Sequence, residues 1–79
     1  MATDESYRVK RCIDDITNEL DYAHKDSGLS REAIRDGVKA EMERWLRENG
    51  GPPALGSTLL WVNIIRTEIR RNALVALNL

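Results

Sequence analysis

Residues 59–79 read LLWVNIIRTEIRRNALVALNL. Thirteen of these twenty-one positions are apolar, both ends included, yet Arg66, Arg70 and Arg71 stand in the middle with Glu68 among them. Charges at that density argue against a membrane span, which needs about 20 predominantly apolar residues. On a helical wheel Val62, Ile65, Ile69, Ala73 and Ala76 share one face. Trp61, Ile64 and Val75 widen that face on one side, and Glu68 projects among them, so it should be paired with Arg71 or across an interface. Asn63, Arg66, Thr67 and Arg70 form the polar side, which they share with Leu59, Leu74 and Leu77. A helix apolar on more than one side needs more than one neighbour. The pattern predicts a helix over 58–78, capped by Ser57 or Thr58. The rest of the chain covers one side of it, and a second copy meets Leu59, Trp61, Ile64, Leu74 and Leu77.

Upstream, two more helices are expected. Over 4–25, Val9, Cys12, Ile13, Ile16, Leu20 and Ala23 fall on one narrow face. Thr3 or Asp4 suits the cap, and Gly28 suits a left-handed residue beyond the end. Over 30–49, Ser30 is the expected N-cap, with Leu29 and Ile34 placed as a hydrophobic staple. Ile34, Val38, Met42, Trp45 and Leu46 make the apolar stripe. Asn49-Gly50-Gly51 ends the helix and Pro52-Pro53 prevents its resumption. Opposite the stripe, Ala33, Gly37 and Ala40 align. Glycine costs about 1 kcal/mol relative to alanine inside a helix. A packing reason for Gly37 is worth considering, but an ordinary exposed glycine is the expectation. No segment has strand character. Short loops between long helices favour antiparallel neighbours, so the fold class is all-α: one domain over 1–79, a three-helix unit packed as a homodimeric helical bundle.

Bulk composition narrows the function. At 79 residues the chain is small, and a domain of this size buries only roughly 60–65% of its unfolded surface. Cys12 is the only cysteine and His24 the only histidine, which leaves neither an internal disulfide nor an ordinary zinc site. Self-association is the remaining source of extra stability. The formal net charge of -1 gives no general attraction to nucleic acid or anionic lipid. Residues 1–7 are polar and acidic with no apolar run behind them, so no signal peptide is expected and the cytoplasm is the default location.

Candidate chemistry is sparse. His24 follows Asp21 by three residues, but a base needs a nucleophile and a pocket as well. Cys12 sits on the buried stripe, too far along the helix to meet His24. The carboxylates Asp14, Asp15, Glu19 and Asp21 lack the spacing of a metal loop. No catalytic residue, metal or cofactor is therefore expected. Contacts are a better prospect. Tyr7 and Tyr22 lie off the apolar stripe near Arg11, Asp15 and Asn18, and tyrosine beside arginine is typical of binding hot spots. Arg66, Arg70 and Arg71 form a basic cluster that faces either a partner or the acidic half of the first helix. The expected function is a small non-enzymatic module that binds a protein partner to regulate, inhibit or assemble it, through Arg11, Tyr22, Arg66, Arg70 and Arg71. The alternative is a dimeric DNA-binding transcriptional regulator using the three arginines of the last helix. A recognition helix would carry basic residues at its start, however, and this segment opens Ser-Thr-Leu-Leu-Trp.

Overall fold

The computed structural model describes residues 4–51 and 64–79. Among these residues there are three helices and no strand: α1 (Asp4–Ala23), α2 (Arg31–Glu48) and α3 (Arg66–Ala76). The predicted start of the last helix, the caps Thr3, Ser57 and Thr58, and residues Leu59, Trp61 and Val62 lie outside the described residues.

Local chemistry sets most of the boundaries. α1 stops at Ala23, two residues short of the expected end, and a turn follows in which the Ser27 amide donates to the His24 carbonyl. Gly28 has φ +86°, the left-handed conformation its lack of a Cβ makes cheap. At the start of α2 the Ser30 hydroxyl accepts from the Ala33 amide at 3.1 Å, so the cap is the one the sequence indicated. α2 ends in a Schellman arrangement: Gly50 is left-handed and the Gly51 amide reaches back to the Leu46 carbonyl at 2.8 Å. α3 closes the same way with a non-glycine residue. Asn78 takes φ +58°, its amide bonds to Val75, and the Leu79 amide bonds to Leu74 at 2.8 Å. Asparagine tolerates that conformation better than most residues. Ahead of α3, Ile64 and Ile65 form a wide π-type turn, and Ile65 is already helical at φ −64° and ψ −49°.

The core draws on all three helices. Cys12, Ile13, Ile16 and Leu20 come from α1, Ile34, Val38 and Met42 from α2, and Ile65, Ile69 and Ala73 from the α3 segment. Val9, Leu29, Trp45, Leu46, Leu74 and Leu77 pack around its margin. Each large aliphatic side chain fully withdrawn from water contributes on the order of 1.5–3 kcal/mol. Two wheel assignments fail: Ala23 and Ala76, each the last residue of its helix, are exposed. One core member is polar. Thr17 is fully buried, and its Oγ1 donates to the Ile13 carbonyl one turn back at 2.7 Å, so no hydroxyl is stranded.

α2 is the central element, packed against both neighbours, while α1 and α3 meet less extensively. α2 and α3 run antiparallel: Trp45 meets Glu68 near one end, and Gly37 meets Leu77 near the other. Gly37 is not an ordinary exposed glycine. A Cβ there would lie 2.9–3.0 Å from Cδ2, Cδ1 and Cγ of Leu77, well inside ordinary contact. The missing side chain is the notch that receives Leu77.

Candidate interaction surfaces

Two arginines of the basic cluster are engaged within the chain. Glu19, on the later half of α1, accepts from Arg66 Nη2 through Oε2 at 3.1 Å and from Arg70 Nη1 through Oε1 at 2.6 Å. Arg66 and Arg70 are one helical turn apart, which lets one carboxylate address both guanidinium groups. The Arg70 hydrogen bond, with the charges of both arginines, holds the Glu19 carboxyl below its ordinary value against the opposing effect of desolvation. Arg71 points elsewhere: it is exposed and has no ion pair among the described residues. The acidic half of α1 thus meets part of the basic cluster of α3 and leaves one arginine to solvent.

The predicted leucine interface divides. Leu59 and Trp61 fall outside the described residues. Leu74 and Leu77 are half-buried against the core of their own chain, and Leu77 fills the Gly37 notch. Part of their cover therefore comes from within the protomer. Ile64 remains 57% exposed, and Val75, which sequence reading placed beside it, is 73% exposed. Glu68, between them, does not pair with Arg71 among the described residues. Its Oε2 accepts from Trp45 Nε1 at 3.3 Å, across the α2–α3 seam. The exposed line on α3 is accordingly Ile64, Glu68, Arg71 and Val75, with Glu68 half-buried by its indole partner.

A second line runs along α1. Tyr7, Arg11, Asn18 and Tyr22 are exposed and Asp15 is half-exposed. Their spacings of three and four residues put all five on the face opposite the core. The Arg11 guanidinium donates to the Tyr7 hydroxyl at 3.4 Å and lies 4.0 Å from Asp15. At the far end the Lys25 ammonium sits 5.1 Å from the centre of the Tyr22 ring, within cation–π range. From Tyr7 to Tyr22 the line is about 22 Å long at 1.5 Å per residue.

The remaining polar residues are ordinary surface chemistry. Arg35 pairs with Asp14 between α2 and α1 at 3.3 Å, and Arg44 lies 3.7 Å from both Glu41 and Glu48 on α2. Burial pushes the Cys12 thiol up to about 11, which keeps it protonated and unreactive near neutrality. Among the described residues no group of three His, Cys, Asp or Glu is placed to hold a metal ion, and no helix is long and apolar enough to cross a membrane. No family model, curated protein or solved structure matches the chain.

Proposed function

We propose that this chain is a small non-enzymatic module that self-associates and binds another protein to regulate, inhibit or assemble it. The observation that carries this reading is the outer line of α1. It presents two exposed tyrosines with an arginine between them on a long, regular helix face. Tyrosine and arginine combine large contact area with directional polar groups, and they dominate binding energy at protein interfaces. The interior supports the non-enzymatic part. The thiol of Cys12 and the hydroxyl of Thr17, the nucleophile types nearest the core, are buried, and Thr17 is committed to a backbone carbonyl. Cytoplasmic location and a homodimeric state belong to the same proposal. The homodimer rests on the apolar side chains left in solvent on α3.

The rival, a DNA-binding regulator, would need Arg66, Arg70 and Arg71 to face phosphate together. Glu19 sits between two of them, which offsets one of the cluster's three positive charges before any nucleic acid arrives. The test is capture from host lysate by immobilised wild-type protein, compared with the Tyr22→Ala and Arg11→Ala variants. A protein retained by the wild type and lost from both variants supports the reading. Retained nucleic acid that is released by modest salt and reduced in Arg71→Ala, which leaves the Glu19 pairs intact, would replace it with the rival.

A further inference from the structure

The exposed line on α3 is complementary to itself when reversed. Ile64 precedes the midpoint between residues 69 and 70 by the same interval at which Val75 follows it. Glu68 and Arg71 are placed symmetrically about the same midpoint. On a regular helix Glu68, Arg71 and Val75 lie within about 60° of arc, and Ile64 continues the line one turn earlier. A two-fold axis through that midpoint, perpendicular to the helix, sets Ile64 against the second copy's Val75 and Glu68 against its Arg71, each contact occurring twice. A parallel arrangement would instead set glutamate on glutamate and arginine on arginine.

The charged residues suit this use. Arg71 is exposed and without an ion pair among the described residues, so it is available as a donor. Glu68 is fixed by Trp45 through Oε2, which leaves Oε1 for a second donor and limits the ordering needed on association. The two apolar members, 57% and 73% exposed, are the only large aliphatic side chains among the described residues left so open to solvent. The geometry points to a second copy of this chain as the occupant of this face, docked through antiparallel α3 helices and held in register by two Glu68–Arg71 pairs. This rests on the self-association proposed above and specifies its surface. The line is about 17 Å long at 1.5 Å per residue, so the contact belongs to the small, dissociable class.

Sedimentation equilibrium over a concentration series tests the idea with Glu68→Arg and Arg71→Glu. Each variant sets like charges opposite each other in its own dimer, and each should dimerise at least about tenfold more weakly than wild type. Mixed one to one, they restore opposite charges, and a heterodimer of near wild-type strength should form. That recovery also shows that both variants fold. Orientation is read by thiol oxidation of Ile64→Cys mixed with Val75→Cys, with buried Cys12 as a silent background. The mixed disulfide should form faster than either self-linked product. A wild-type chain that stays monomeric throughout would remove self-association itself. A wild-type dimer indifferent to both charge reversals, or one in which Ile64→Cys links best to itself, would leave self-association standing and overturn this surface.

Discussion

Replacing Gly37 by alanine sets two effects of similar size against each other, and the structure says how to separate them. In an exposed helix interior the substitution stabilises by about 0.8–1 kcal/mol, because alanine has less backbone freedom to lose. Here the new methyl would lie 2.9–3.0 Å from three carbons of Leu77, when ordinary contact begins at 3.4 Å. The leucine must yield by the difference, 0.4–0.5 Å. Overpacking of this kind costs roughly 1–3 kcal/mol. Leu77 is half-buried and stands just past the last residue of α3, so the lower end applies and Gly37→Ala alone should change stability by about 1 kcal/mol or less. Leu77→Ala alone should cost about 1–2 kcal/mol, part of the value for a fully buried leucine. In the Leu77→Ala background the notch is empty, and Gly37→Ala should then stabilise by about 1 kcal/mol, or roughly 4–8 °C in Tm for a domain of this size. The coupling between the two sites is therefore about 1 kcal/mol or more. Urea unfolding followed by far-ultraviolet circular dichroism, at one fixed protein concentration, measures all four corners of the cycle. If Gly37→Ala stabilises equally in both backgrounds, Leu77 does not occupy the notch and the α2–α3 packing described here is wrong.

Three further outcomes follow from the interior and its ion pairs. Glu19→Ala should destabilise by roughly 1 kcal/mol, since it frees two half-exposed arginines from pairs that solvent already screens, and added salt should shrink the difference. Because the Glu19 pKa is depressed in the folded chain, its contribution is complete above the ordinary glutamate value near about 4.3 and is lost as pH falls through the folded value. Acid unfolding should consequently have a shallower dependence on pH in Glu19→Ala than in wild type. Thr17→Val removes a buried hydroxyl whose acceptor is a helix carbonyl while keeping the side chain's shape; urea titration should find the variant within about 1 kcal/mol of wild type, and a larger loss would mean the hydroxyl has a second role. Native Cys12 should resist an aromatic disulfide reagent near neutral pH and react at the rate of global opening, a rate that denaturant raises and that labelling kinetics report directly.

What was legible in the sequence was whatever one helix determines for itself. The stripes of α1 (Ala23 apart) and α2, the Ser30 cap and the glycine stop after Asn49 depend on residues within a turn or two of each other, and each is where local pattern placed it. The contacts that fix how helices meet were less legible. A wheel shows that Leu74 and Leu77 share a side with Arg66 and Arg70, but it cannot show that Gly37 opens a notch on a different helix to receive Leu77. Glu68 is expected to pair with Arg71 or across an interface; within the chain it accepts from an indole, because Trp45 lies on the margin of α2 with its N–H directed at the seam. Thr17 left no signal at all: a threonine within a run of polar residues is usually exposed, and only its bond to Ile13 makes burial cheap. The chain end was readable in principle, since an asparagine one residue beyond an apolar helical run is a recognised left-handed cap.

The arrangement of α3 has a consequence for any attempt to find the functional surface by mutation. Ile65, Ile69 and Ala73 face the core, Arg66 and Arg70 engage Glu19, and Leu77 fills the α2 notch. The sides of the helix that face the core, Glu19 and α2 are already committed within the chain, so substitutions on those sides will alter folding whether or not they touch a partner. Arg70→Ala illustrates the difficulty: it deletes a surface charge and also breaks a 2.6 Å bond to Glu19, so weakened binding in that variant would not locate an interface. Arg71→Ala removes a charge from the same stretch without breaking an ion pair among the described residues. Binding that falls in Arg71→Ala while the urea midpoint stays fixed identifies recognition. Binding that falls only in Arg70→Ala, together with the midpoint, identifies the Glu19 clamp.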